Sequence, residues 1–443
     1  MPAHDRRILL ATWLTLLLNL PVLVALPAAA TSVRLAEVVK IPGTDIARLA
    51  GYPINRLALV ARRSVGAGAH HGWQPIPFQI DERDAEGQWV LERGPQPNFD
   101  TPRAVLDDND VLLFMAMDAG TRVPTADLPH GLPVAEVSVH DPLTGSTRWA
   151  YLLGFDTPAP RAPTSYVDYD PATDRVQGAH VTLGFRNGTP AYLGIRARDG
   201  AVGGNLLDRF KVRATAAFLW GLLHFSRTED DLLTEFVAWG QGPIRVIRRQ
   251  RQRVRIGWGI RSPTFGSYTY FYRDFAELPV ALYLNFPPTY FFGSIVIRTI
   301  LDFRDLKGWL LLVPGLARPI AINGRMTAEK AALNQLPASW FALEGPHLTL
   351  LQTMDVSPSL ASVRRRLLYR EDSRPAPPEG YPGQEPGIGY QLDQWGKVRA
   401  GAHHLRSVSW ALPAGINVRE FVRAQRFPLH VTVRALPPES DAR

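Results

Sequence analysis

Five arginines leave one face of a single predicted strand. Between Ile244 and Ile256, the two-residue period of a strand puts Arg245, Arg249, Arg251, Arg253 and Arg255 on one side, interrupted only by Ile247. Same-face side chains on a strand stand about 6.6–6.8 Å apart. Guanidinium groups at that pitch suit a repeating anion, because each offers a planar fork to carboxylate, sulfate or phosphate. The competing reading is a solvated face paired with acids on neighbouring strands. Glu229, Asp230, Asp231 and Glu235 lie just upstream and could supply them.

The next predicted strand carries Tyr268, Tyr270 and Tyr272 on one face. Aromatic rings stack on sugars, and a phenol can take or give a proton. In a β-elimination, a cation neutralises the uronate carboxylate while a base removes the α-proton. On that reading Arg253 and Arg255 are the candidate neutralisers, and Tyr270 and Tyr272 the candidate bases. Arg245, Arg249, Arg251 and Tyr268 are the candidate binding residues. Tyrosine is equally at home on a half-buried strand that binds nothing.

A third group is acidic. Glu82, Asp84, Glu86 and Gly87 copy the opening of a calcium loop, in which alternate oxygens point inward and glycine permits the turn. Arg93 stands where the closing glutamate belongs, although Asp107, Asp108, Asn109 and Asp110 offer further oxygens. A polar turn between predicted strands Ile76–Ile80 and Gln88–Leu91 is the preferred reading. The histidine pairs His70-His71 and His403-His404 lack a third ligand at a metal-binding spacing. His180, His224 and His347 are single candidate bases. No nucleophile elbow, HExxH zinc motif, phosphate-cradling loop or complete GxGxxG is present.

The elements that position these residues follow from composition. Arg6 and Arg7, then an apolar run from Ile8 to Leu26, then Ala28-Ala29-Ala30, have the three parts of a secretory signal peptide cleaved after Ala30. An uncleaved anchor is the alternative, since a span needs about 20 apolar residues. No cysteine occurs, which excludes disulfides, thiolate nucleophiles and Cys-based metal sites. Leader and cysteine count together point to a bacterial periplasm or exterior. The net charge of +8 reflects five lysines against forty-four arginines. That bias reads as codon usage, and an exported chain seldom meets nucleic acid, so none is expected as partner.

Glycine (36) and proline (38) punctuate short segments rich in Val, Ile, Tyr, Phe and Trp. This texture predicts a mostly β protein of two antiparallel, sandwich-like domains with few short helices. Residues 31–155 form the first expected domain, 156–175 a proline-rich linker, and 176–436 the second. Asn187-Gly188 predicts a tight hairpin between Val181–Arg186 and Pro190–Arg196. A second hairpin is predicted between Val134–His140 and Thr147–Phe155. Thr327 is a candidate cap for a helix ending at Pro337. Leu206–Leu223 reads as either helix or strand. Ser373–Gly389 reads as either a long surface loop or a break before a final pair of strands at Val398–Trp410 and Val418–Val433. The expected function is binding or processing of an acidic polysaccharide. The alternative is a non-catalytic envelope protein that meets lipopolysaccharide, anionic lipid or a protein partner.

Overall fold

The computed structural model describes residues 34, 37–65, 70–124, 127–129, 132–197, 200–218, 221–257, 260–262, 264–371 and 386–436. The expected leader, residues 1–30, lies outside them, as does most of the proline-rich stretch 373–389. The chain is mostly antiparallel β-sheet with few short helices, as its composition predicts. Among the described residues no helix is long and apolar enough to cross a membrane.

Two sandwiches account for most of the core. In the larger, a ten-stranded sheet faces a five-stranded one. The ten-stranded sheet begins with Leu232–Gln241, Arg245–Gly257, Phe265–Tyr272, Phe275–Leu284 and Gly401–Pro413, in that order. The five-stranded sheet centres on Phe292–Phe303, flanked by Leu207–Phe218 and Gly387–Asp393. Phe303, Phe341, Leu343, Leu367, Ile388 and Tyr390 fill the space between. The ambiguous segment from Leu206 is therefore strand, and its alternation at Lys211–Thr215 reports this correctly.

The smaller sandwich packs the three strands Val38–Pro42, Val111–Met115 and Phe78–Asp81 on a five-stranded sheet. That sheet runs His430–Ala435, Leu132–His140, Thr147–Gly154, Leu57–Val65, His70–Pro75. The C-terminal strand thus completes a sheet built by the N-terminal segment, with Val433 opposite Val137. Segment 38–154 accordingly shares its core with residues near 430, and the expected linker contributes a short strand, Asp168–Asp170.

Local signals act as predicted at several turns. Asn187 and Gly188 both have positive φ, at 50° and 76°, and join Val181–Arg186 to Thr189–Ile195. Thr327 caps the helix Ala328–Ala332 by accepting from the Lys330 N–H. One expectation is corrected. Val418–Ala424 is a helix, not the start of a strand. Asn417 caps it, and Val418, Phe421 and Val422 set an i, i+3, i+4 apolar stripe that packs beside Trp410.

Candidate anion-binding face

The arginine strand, Arg245–Gly257, lies between Leu232–Gln241 and Phe265–Tyr272. Its register places Arg245 opposite Tyr272, Ile247 opposite Tyr270 and Arg249 opposite Tyr268. Directly opposed residues share a face, so the arginine and tyrosine stripes form one surface. That surface is graded along its length from buried to open.

At the buried end, Arg245 is 3% exposed. Its Nε donates to Asp81 Oδ2 at 2.6 Å and its Nη1 to the Tyr272 hydroxyl at 2.9 Å. Gln79 Oε1 accepts from the backbone N–H groups of Ile244 and Arg245. Trp89 covers the guanidinium at 4.8 Å, and its indole N–H donates to the Tyr270 hydroxyl at 2.8 Å. Burial works against the Arg245 cation, but the Asp81 and Tyr272 oxygens outweigh it and raise its pKa. Burial also raises the Tyr270 and Tyr268 phenols. Arg245, Tyr270 and Tyr272 therefore lock the N-terminal segment onto the large sheet. The opposite face adds another such lock, where Arg248 is 1% exposed, bonds Asp174 at 2.6 Å and lies 4.1 Å over Phe185.

The face opens beyond Ile247. Arg249 is half-buried, 5.8 Å over the Tyr268 ring. Arg251 Nη1 donates to Gln96 Oε1, and Gln96 Nε2 donates to Glu235 Oε1 at 2.8 Å. Arg253 is exposed and donates from Nε to Thr264 Oγ1 at 2.7 Å. Arg255 is exposed, and its carbonyl accepts from Arg227 Nε at 2.8 Å. Of the acids expected to pair with this strand, Glu229, Asp230 and Asp231 form a capped turn instead. Glu229 turns to Arg213 and Arg209.

Arg249, Arg251 and Tyr268 come together, but the expected elimination centre does not. Tyr270 sits level with Ile247, and Arg253 is six residues further along, about 20 Å at strand rise. A base and a carboxylate neutraliser must meet on one sugar unit. Tyr272 is also sealed at 2% exposure.

Glu82, Asp84 and Glu86 do not converge. Asp84 Oδ1 accepts from the Gln88 N–H and Oδ2 from Asn98 Nδ2, while Glu86 is exposed at a turn that Gly87 closes with φ 75°. Among the described residues no group of three or more His, Asp or Glu could hold a metal ion. Burial, with Asp110 close by, pushes Glu82 up to about 7. His403 is buried between Ser359 Oγ and the Arg399 carbonyl, and His404, His224 and His347 are exposed. The side chains of His70 and His71 lie outside the described residues.

A polar cluster that sequence spacing did not reveal lies where the linker meets the large sheet. His180 Nε2 is 3.6 Å and Arg273 Nε 3.9 Å from Asp274 Oδ1. Nearby, Tyr166 donates to both Asp118 oxygens, and Arg63 approaches Asp118 at 3.4 Å. Burial lowers the His180 pKa against the pull of Asp274, and burial raises that of Asp274 against the pull of Arg273 and His180. Its members come from distant stretches of chain, and the one sequence signal is Asp118 at the end of the apolar run Val111–Met117. A cleft of about 460 Å³ is lined by Arg161, which stacks on Phe78 at 4.3 Å, and by Ser165 next to Tyr166.

Fold and face together define an antiparallel β protein with a partly open arginine–tyrosine surface. No protein family and no curated protein matches the sequence. Two solved structures from Enterococcus faecalis are similar in shape: a protein in glycosyl hydrolase family 38 and an alpha-mannosidase. Each shows 9% identity and a TM-score of 0.47 over 91% of this chain. The chain spans about half the length of either, 46% and 45% respectively.

Proposed function

We propose that the open half of the arginine strand binds an acidic polysaccharide, and that the protein works outside the cytoplasm. The observation that carries the reading is the alignment of Arg249, Arg251 and Arg253 on one face, with the Tyr268 ring against the first of them. Three guanidinium forks at a pitch of about 6.8 Å match a chain of carboxylates or sulfates. The tyrosine adds an apolar plane for a sugar. Binding is favoured over elimination, because the candidate bases lie at the sealed end and the exposed cations at the other. The three-part leader supports export.

Titration with polygalacturonate, alginate and heparin, with dextran as the neutral control, tests this. Binding should weaken as salt rises, without the near-ultraviolet absorbance that unsaturated uronate would bring. Reversing Arg249, Arg251 and Arg253 to Glu should weaken it by about tenfold or more, since charge-assisted bonds contribute about 1.5–3 kcal/mol each. Unchanged affinity in that triple variant sinks the proposal, and a growing absorbance revives elimination.

A further inference from the structure

One end of the large sandwich combines exposed apolar side chains with more cations than acids. Several chain connections meet there. Phe218 and Leu223 close a hairpin, and Phe218 also pairs across to Phe292, so that hairpin tip adjoins the turn at Pro288–Tyr290. Phe286 and Phe291 pack at 4.8 Å, and Phe291 stacks on Phe218 at 6.3 Å. The turn Trp395–Lys397 packs on the same Pro288–Tyr290 turn, and Leu284 pairs with Gly401 beside it. Arg227, four strand residues or about 13 Å from Leu223, donates to the Arg255 carbonyl and so ties the end of the arginine strand to this end of the sandwich.

The side chains at this end are unusual for a water-facing surface. Leu222 is 80% exposed, Tyr283 72%, Tyr290 63% and Leu223 56%. Contiguous exposed apolar surface on a folded protein marks an interaction site. The charge pattern says with what. Segments 218–228, 253–265, 281–293 and 394–404 contain no Asp or Glu, but Asp393 directly precedes the last and Glu229, Asp230 and Asp231 directly follow the first, in a turn beside the arginine strand. The four segments do contain Arg227, Arg253, Arg255, Arg261, Lys397 and Arg399. Leucine with tyrosine at the centre and cations around it fits a bilayer. Apolar tips enter the acyl boundary, tyrosine rings sit at the headgroups, and the cations are drawn to an anionic leaflet.

We infer that this end of the sandwich docks peripherally on an anionic phospholipid surface, with Leu222, Leu223, Tyr283 and Tyr290 inserted. The inference stands apart from polysaccharide binding and does not need it.

Flotation of the full chain with phosphatidylglycerol-containing vesicles, against phosphatidylcholine alone, is the test. Binding to the first and not the second is expected. Two variants, Leu222→Ser with Leu223→Ser, and Tyr283→Ser with Tyr290→Ser, should each cut vesicle partitioning by about tenfold or more. Both should keep the circular dichroism, the melting temperature and the polygalacturonate affinity of the parent. The inference fails if anionic vesicles are not bound, if neutral vesicles are bound equally, or if either variant partitions like the parent. Polygalacturonate binding without vesicle binding leaves the polysaccharide reading intact and removes this one. Vesicle binding without polygalacturonate binding does the reverse.

Discussion

Arg245 and Arg253 lie on one strand face and differ in what removing them should do. Arg245→Met deletes the partner of Asp81, which is itself 9% exposed, and leaves that carboxylate with the Gln79 amide at 2.5 Å. It also removes the bond to the Tyr272 hydroxyl and the cation over Trp89 and Tyr270, both at 4.8 Å. Breaking one side of a buried ion pair costs about 3–5 kcal/mol. Pairing the change with Asp81→Leu removes the stranded charge and should recover most of that loss, because an apolar pair of similar volume is often neutral or better. Arg253→Met removes an exposed cation and one hydrogen bond to Thr264, so its effect should stay within about 0.5 kcal/mol. Urea unfolding followed by tryptophan fluorescence reads all three, compared as midpoints at constant slope. Equal midpoints for Arg245→Met and Arg253→Met would refute the division of the strand into structural and open halves. Failure of the double variant to recover would show that the cost lies in packing and not in charge.

Three other outcomes are expected. Glu82 has a folded-state pKa of about 7, above its ordinary 4.5, so its ionisation opposes folding as pH rises through that interval and costs nothing below it. Glu82→Gln should therefore stabilise the protein at pH 8 by about 1–2 kcal/mol, a figure discounted for a half-exposed group, and leave it unchanged near pH 4; a melting-temperature gain that is independent of pH would contradict this. Gly188→Ala should cost at least about 1–2 kcal/mol, because φ is 76° and the new Cβ would stand 2.2 Å from Thr234 Cγ2; chemical denaturation checks it, and a neutral result would mean the hairpin does not dock as described. Asn417→Ala should cost about 1 kcal/mol by removing the cap on Val418–Ala424, and hydrogen exchange in that helix should rise while exchange in the large sheet does not.

Alternation, turn chemistry and capping act within a few residues, and sequence alone determined what they control. Period-two patterning gave the strand Arg245–Gly257 and the tyrosine strand beside it. The φ demands of Asn187-Gly188 fixed one hairpin, and Thr327 fixed the start of a helix. Where two local signals competed, at Val418, the cap and the apolar stripe won over strand propensity. Only tertiary structure decided which arginines are available to a ligand. Asp81 reaches Arg245 across 164 residues and Asp174 reaches Arg248 across 74, so nothing in the strand itself distinguishes them from Arg251 or Arg253. The same holds for the pairing of His430–Ala435 with Leu132–His140, and for the meeting of His180, Arg273 and Asp274 with Tyr166 and Asp118. Burial belongs to the neighbours a residue acquires, and those neighbours are chosen by how sheets stack, at a range that no spacing along the chain encodes.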